Sequence, residues 1–464
     1  MSVREPLGAT TQGGALGLSA PALSSGARSA DARAGLLGLS GLLLSALVIS
    51  ISAPGTSNLL PESVRPVPGW LAGPFGSAGL SLGVPGLIGV LTLMLASYVV
   101  AVQAAARLSG RAVLVSIVAL HALVLLAPPL LSTDMFSYQA YARMGALYGA
   151  NPYLHGPYAI ALDPVYPFIG AKWVTMPTAY GPLFTTLGYL LAPLSIAASA
   201  LAYKAIAAFA SLAIVAFVWK GARLRGLNPV TAAAFVGLNP LIVVYGVGGG
   251  HNDLLMLAVS TAGLYLMLRS RERAGGALAV LAAGVKLTGG LLVPFAIAAG
   301  GGGRRTRERR RERMVGAGLG AVAVAVLGFT VFGTGPLHLL ATVRKSQSEG
   351  DWHSIPGFIG TRFGLGSAGH VASLALAVVF AAVCCWLLRR VWRNEMDWIN
   401  AAGWATLALL VTASSLLPWY VAWLIPLAAL ATDRRLWRAA AVISAVVQGI
   451  LLLGYIPHGS SLGL

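Results

Sequence analysis

The most constraining feature of this chain is a repeated one. Apolar runs of about 18–20 residues follow one another along nearly its whole length, each long enough as a helix to cross a hydrocarbon core about 30 Å thick. The runs are continuous rather than alternating, so the backbone satisfies itself as helices and not as a closed barrel. Composition agrees: 57% of the 464 residues are hydrophobic and only 10% charged, against about 25% charged in soluble domains. An all-α polytopic membrane protein is expected.

A net charge of +18 raises the question of nucleic acid, but its distribution points to a membrane. Basic residues cluster in short segments between apolar runs, most densely at 304–313. Placing these segments and the N-terminus in the cytoplasm leaves 24 of the 32 Lys and Arg inside and 7 outside, with Lys286 in between. That is the positive-inside pattern. Membrane lipid is an expected partner and nucleic acid is not. Residues 1–34 are rich in Gly, Ser and Ala and read as a disordered cytoplasmic tail; residues 35–464 form the membrane domain. Cys384 and Cys385 are adjacent in an apolar run and support no disulfide framework.

Eleven full spans are expected, among them 35–53, 113–131, 229–247, 254–268 and 418–431. Two further pieces do not fit a simple count. The piece 182–196 is short and proline-flanked, which suits a re-entrant or interfacial segment. The piece 276–299 has basic clusters on both sides and Lys286 in its middle, so it must return to the side it left. A hairpin of two short helices with Lys286 near its turn satisfies this, giving 13 membrane helices. Segments 54–84, 132–180, 248–253 and 333–370 then face outward. A loop as long as 132–180 is uncommon unless functional or disordered, and its many aromatic residues argue against disorder.

Carboxylates narrow the function. Of 14, none falls inside an expected span, and six lie outside: Glu62, Asp134, Asp163, Asp253, Glu349 and Asp351. Ion-coupled transporters need a relay carboxylate at mid-membrane, so an outward-facing reaction is favoured over a lipid or sugar transporter or flippase. Asp134 follows the third span directly, where a partly buried carboxylate can serve as general base; the alternative is a cap on a helix starting at Met135. In the glycine-rich stretch 248–253, His251, Asn252 and Asp253 can bind sugar hydroxyls or a divalent metal, or start the next helix. Lys286, Arg344, Lys345, Arg143 and Lys172 are candidates for holding an anionic phosphate, with snorkelling to headgroups as the ordinary alternative. Tyr138, His353, Trp419 and Tyr420 are candidates for sugar contact, with interfacial anchoring as theirs.

Six pieces in order carry a family likeness: 132–138 (Ser-Thr-Asp-Met-Phe-Ser-Tyr), 151–157 (Asn-Pro-Tyr-Leu-His-Gly-Pro), 180–184 (Tyr-Gly-Pro-Leu-Phe), 249–253 (Gly-Gly-His-Asn-Asp), 284–288 (Gly-Val-Lys-Leu-Thr) and 417–420 (Leu-Pro-Trp-Tyr). The chain resembles the polyprenyl-phosphate-mannose-dependent α-1,6-mannopyranosyltransferases of actinobacteria, within the GT-C superfamily of membrane glycosyltransferases. The resemblance spans about residues 84–435. It implies a GT-C-type fold, a polyprenyl-phosphate-mannose donor and a mannan or glycolipid acceptor. It also implies inversion at the anomeric carbon, Asp134 as the base, and no cofactor, which lowers the metal reading of His251 and Asp253. A GT-C enzyme moving a different sugar is the nearest alternative.

Overall fold

The structure is a computed structural model that describes residues 25–300, 303–348, 354 and 368–455. Among these residues the regular elements are helices. In chain order they are α1 (Ser25–Ser52), α2 (Val84–Ala104), α3 (Gly110–Leu126), α4 (Asp134–Tyr148), α5 (Pro182–Leu191) and α6 (Ile196–Leu224). Next come α7 (Pro229–Gly237), α8 (Asp253–Leu268), α9 (Glu272–Val285), α10 (Leu292–Ala298), α11 (Arg304–Phe332) and α12 (Leu339–Ser348). Last are α13 (Ala368–Trp392), α14 (Trp398–Thr412), α15 (Ile425–Ala429) and α16 (Arg434–Gly454). The chain is a polytopic helical membrane protein, as expected.

The span count needs correction. Six described helical stretches are long and apolar enough to cross a bilayer: Ala30–Gly55, Val84–Arg107, Ile196–Leu224, Arg304–Phe332, Val371–Trp392 and Arg434–Gly454. A seventh is reached if α7 and the π-helical Leu241–Val247, bent by 43° to each other, form one broken span. Several of the eleven expected full spans are shorter helices. α3, α8 and α14 have 17, 16 and 15 residues, about 25 Å or less at 1.5 Å per residue. The run 418–431 is a 3₁₀ stretch, Pro418–Trp423, followed by the five-residue α15. Hydropathy counts apolar residues but not rise, and prolines at 240, 418 and 426 interrupt the hydrogen-bond ladder. α1 also begins at Ser25, inside the segment expected to be a disordered tail; residues 1–24 lie outside the described residues. It packs on α2 through small residues: a Cβ on Gly38 would sit 2.8 Å from Ala101 N and Ser97 O.

The hairpin at 276–299 is present, and the packing of α9 on α11 demonstrates it. Gly276 lies against Arg313, Gly320 against Ala277, and Gly284 against Val324, so the two helices run side by side in one direction. The chain between them must therefore come back. Both feet meet at Arg313, whose guanidinium donates to Glu272 at 2.6 Å and to the Ala296 carbonyl at 2.6 Å. At the tip, Lys286 interrupts the helix in extended conformation (φ −149°, ψ 132°). α11 carries the chain from this basic end to Phe332, whose carbonyl accepts from Asn151 of the long loop. The hairpin tip and the long loop thus share one end of α11, opposite the Arg304–Arg313 cluster. The short α5 starts beside the tip, where the Gly181 amide donates to the Val285 carbonyl at 3.0 Å.

Candidate active site

Asp134 is the first residue of α4, and the segment before it is clamped from three sides. Lys204 of α6, 2% exposed, donates to the Ala127 and Pro128 carbonyls at the end of α3. The Leu130 amide donates to Gly248 and the Leu131 amide to Leu59, each at 3.0 Å. Ser132 Oγ accepts from the Asp134 amide at 3.2 Å. The carboxylate itself caps nothing: the first-turn amides of Phe136 and Ser137 bond to the Thr133 carbonyl instead. It faces the Tyr138 hydroxyl at 3.5 Å and His251 Nδ1 at 3.3 Å. Lys204→Met should leave two buried carbonyls unpaired and lower stability by about 1–3 kcal/mol, measured as thermal unfolding in detergent.

His251 comes from the other side of the site. Gly248 and His251 close the wide π-helical turns begun at Leu241, through bonds to Val243 and Gly246. Single π-type turns inside helices often occur at functional sites. Gly250 then takes φ +63°, where a Cβ would press on Met135 at 3.1 Å, so only glycine brings His251 this close to α4. The imidazole stacks on Trp419 with centroids 3.7 Å apart. Asn252 follows, its side-chain oxygen accepting from Tyr138 at 3.4 Å. It does not cap α8 with its side chain.

Asp253 opens α8 and meets the hairpin tip. One carboxylate oxygen accepts from Lys286 Nζ at 2.7 Å and from Trp423 Nε1 at 2.6 Å. Lys286 lies near the Tyr420 and Trp423 rings, 4.9 and 5.4 Å from their centroids. Several buried polar atoms here find no hydrogen-bond partner among the described residues: His251 Nε2, Asn252 Nδ2, the second Asp253 oxygen and Trp419 Nε1. Unsatisfied groups at this density are costly in a finished core and are suited to a polar ligand. Among the described residues no three His, Cys, Asp or Glu side chains gather as metal ligands.

Electrostatics keep Asp134 ionised. Burial raises its carboxyl, but His251, Lys286 and Ser132 together more than offset that and hold it below its ordinary value of 3.8. Tyr138 moves the other way, well above its ordinary range, through burial and then the Asp134 and Asp253 charges. Since the Asp134 shift is downward, its contribution to stability is present above the ordinary carboxylate value and lost as pH falls through the lowered one. Any acid limb of kcat/KM due to Asp134 should therefore lie below pH 3.8; a pH–rate profile checks this, and a limb absent from Asp134→Asn identifies it.

Two cavities meet at Asp134. The smaller, about 90 Å³, is also lined by Lys286, Leu287 and Thr288. The larger, about 330 Å³, is lined by Glu62, Ser132, Lys172 and Trp419. Trp173, Ser346, Gln347, Leu417 and Tyr420 belong to both. A third, apolar groove of about 310 Å³ runs between α9 and α11 and shares Leu287 with the smaller cavity.

Of the residues expected here, Asp134, Tyr138, His251, Asn252, Asp253, Lys286, Trp419 and Tyr420 converge. Arg143 does not: Asp163 holds it at 2.8 Å, and it also donates to the Ala192 carbonyl, tying α4 to α5. The guanidinium so committed clasps α4 to Asp163 and to the end of α5. Lys172 sits over Trp173 and lines the larger cavity, whose walls do not include Lys286. Arg344 and Lys345 are exposed on α12, whose neighbouring Ser346 and Gln347 line the cavities instead. His353 lies outside the described residues. Sequence reasoning missed Trp423 as an Asp253 partner; its place four residues after Trp419, in the same proline-led turn, was the available signal.

Comparison with known proteins gives the family. Residues 33–300 match the family described as "Alpha-(1->6)-mannopyranosyltransferase, N-terminal domain", and residues 353–463 match "MptB C-terminal domain". Two alpha-(1->6)-mannopyranosyltransferases of Mycobacterium tuberculosis are each 28% identical, over 70% and 72% of this chain. Alpha-(1->6)-mannopyranosyltransferase B of Corynebacterium glutamicum is 29% identical over 66% of it. The matches span 66%, 68% and 56% of these relatives' own lengths, so this chain covers about two thirds or less of each. With the family model matching more than half of its residues, the chain belongs to the alpha-(1->6)-mannopyranosyltransferase family.

Proposed function

We propose that the protein is an inverting mannosyltransferase that moves mannose from a polyprenyl-phosphate donor to a hydroxyl of a mannan or glycolipid acceptor. Asp134 takes the proton of the acceptor hydroxyl as that oxygen attacks the anomeric carbon. The bond to the phosphate oxygen breaks on the opposite face, and the polyprenyl phosphate leaves. Phosphate needs no acid to depart, unlike the leaving group of a glycosidase; it needs positive charge where anionic charge develops, and Lys286 supplies it. The lowered basicity of Asp134 suits late proton transfer, because the hydroxyl becomes strongly acidic only as the new bond forms.

The observation that carries this reading is one ionised carboxylate and one lysine on the walls of a single cavity. The apolar groove that shares Leu287 with that cavity supports a donor with a long hydrocarbon chain. The concentration of Arg at the far end of α11 supports placing that end in the cytoplasm, with the site on the outer face of the cell membrane and the N-terminus inside. The relatives' names support mannose and the 1,6 linkage. The test is transfer by purified protein in liposomes from radiolabelled polyprenyl-phosphate-mannose to short mannosides, with linkage analysis of the product. No transfer, or retention of the anomeric configuration, overturns it.

A further inference from the structure

The larger cavity has no role in the donor chemistry, and its chemistry differs from that of the smaller one. Lys286 is absent from its walls, and it does not share Leu287 with the apolar groove. Its lining includes Glu62, exposed on a short 3₁₀ turn (Glu62–Val64), and Lys172. A carboxylate there repels a phosphate but accepts hydrogen bonds from neutral hydroxyls. The walls add the Trp173, Trp419 and Tyr420 rings, whose faces suit the apolar faces of a pyranose. At about 330 Å³ the space falls at the small end of ligand pockets, roughly 300–1,000 Å³. Asp134 lines both cavities, so a hydroxyl arriving through the larger one can reach the carboxylate from a space that Lys286 does not line.

We propose that the larger cavity is the acceptor subsite, which seats a neutral terminal sugar with Glu62 reading its hydroxyls and Trp173 walling its face. This rests on Asp134 being the base. It assigns Lys172 to the acceptor side and separates the entry routes: lipid donor from the groove at Leu287, glycan from the water side at Glu62. The 3₁₀ turn is fastened to the long loop by Ser63 Oγ, which donates to the Phe168 carbonyl at 2.7 Å. Glu62 therefore stands on a fixed support rather than a free tip.

The test uses the full chain in liposomes with a short methyl mannoside as acceptor. Glu62→Gln should raise the acceptor KM on the order of tenfold, the loss of one hydrogen bond to a charged group, with the donor KM within about twofold of the original. Trp173→Ala should shift the same parameter in the same direction. Binding is read separately from turnover by Glu62→Cys and a membrane-impermeant thiol reagent, against the unsubstituted protein, which has only Cys384 and Cys385. The mannoside should slow labelling of the introduced thiol severalfold, and polyprenyl-phosphate-mannose alone should not. An unchanged acceptor KM in Glu62→Gln, or labelling slowed by the donor alone or by neither ligand, overturns the assignment. If the mannoside protects position 62 while polyprenyl-phosphate-mannose is never a donor, the acceptor subsite stands and the donor reading falls.

Discussion

Asp134→Asn is expected to lower mannosyl turnover by about 10²–10⁴-fold, the usual contribution of a general base, while donor binding stays nearly unchanged. Asn keeps the volume of the side chain and can still face Tyr138 and His251 across 3.5 and 3.3 Å. It loses only the capacity to take a proton. A capping role would predict full activity, because Asn caps a helix about as well as Asp. The observed bonding already argues against capping, since Phe136 and Ser137 have the Thr133 carbonyl as partner. Steady-state transfer and equilibrium binding of the lipid donor, measured on the same preparation, separate the two readings. Near-normal transfer by Asp134→Asn would remove the catalytic assignment.

Lys286→Met should cost both activity and stability, by different routes. Activity should fall about 10²–10³-fold, the usual loss when one preorganised group facing a developing anion is removed. Stability should fall because Asp253 is left buried with Trp423 as its remaining donor among the described residues; breaking one side of a buried pair costs about 3–5 kcal/mol. The double change Lys286→Met with Asp253→Asn removes both charges and should recover much of the thermal stability without recovering transfer. If the double variant transfers mannose at the original rate, Lys286 is a structural ion-pair partner and nothing more.

The site was more legible in the sequence than the helix lengths were. In a chain with so few charges, Asp134, Asp253 and Lys286 stand out because each must have a reason to be near lipid. The hairpin at 276–299 followed from charge on both its flanks, which no crossing segment can satisfy. Helix length was less readable, because a run of apolar residues looks the same whether it is one helix or a 3₁₀ stretch and a short turn, as at Pro418–Ala429. The π-helical turns at Leu241–Val247 were hidden likewise; Asn239 and Pro240 mark the break but not the wider winding after it. Pairings were the least readable. Arg143 with Asp163 and Lys286 with Asp253 are 20 and 33 residues apart, and only the crossing of distant helices decides which cation meets which carboxylate.

The hairpin rooted at Arg313 has a consequence for how this chain can vary. α9 is a strut of 14 residues, about 21 Å at 1.5 Å each, with its foot held at Arg313 and Lys286 at its tip. One residue added or removed within it would turn Lys286 by about 100° and shift it by about 1.5 Å, carrying the ammonium away from Asp253. The loops that line the larger cavity have no such gauge: they can lengthen or shorten while the strut holds its measure. Insertions and deletions among related chains should therefore gather in those loops and be missing between Glu272 and Lys286, so that the cavity walls can change while the lysine keeps its height beside Asp253.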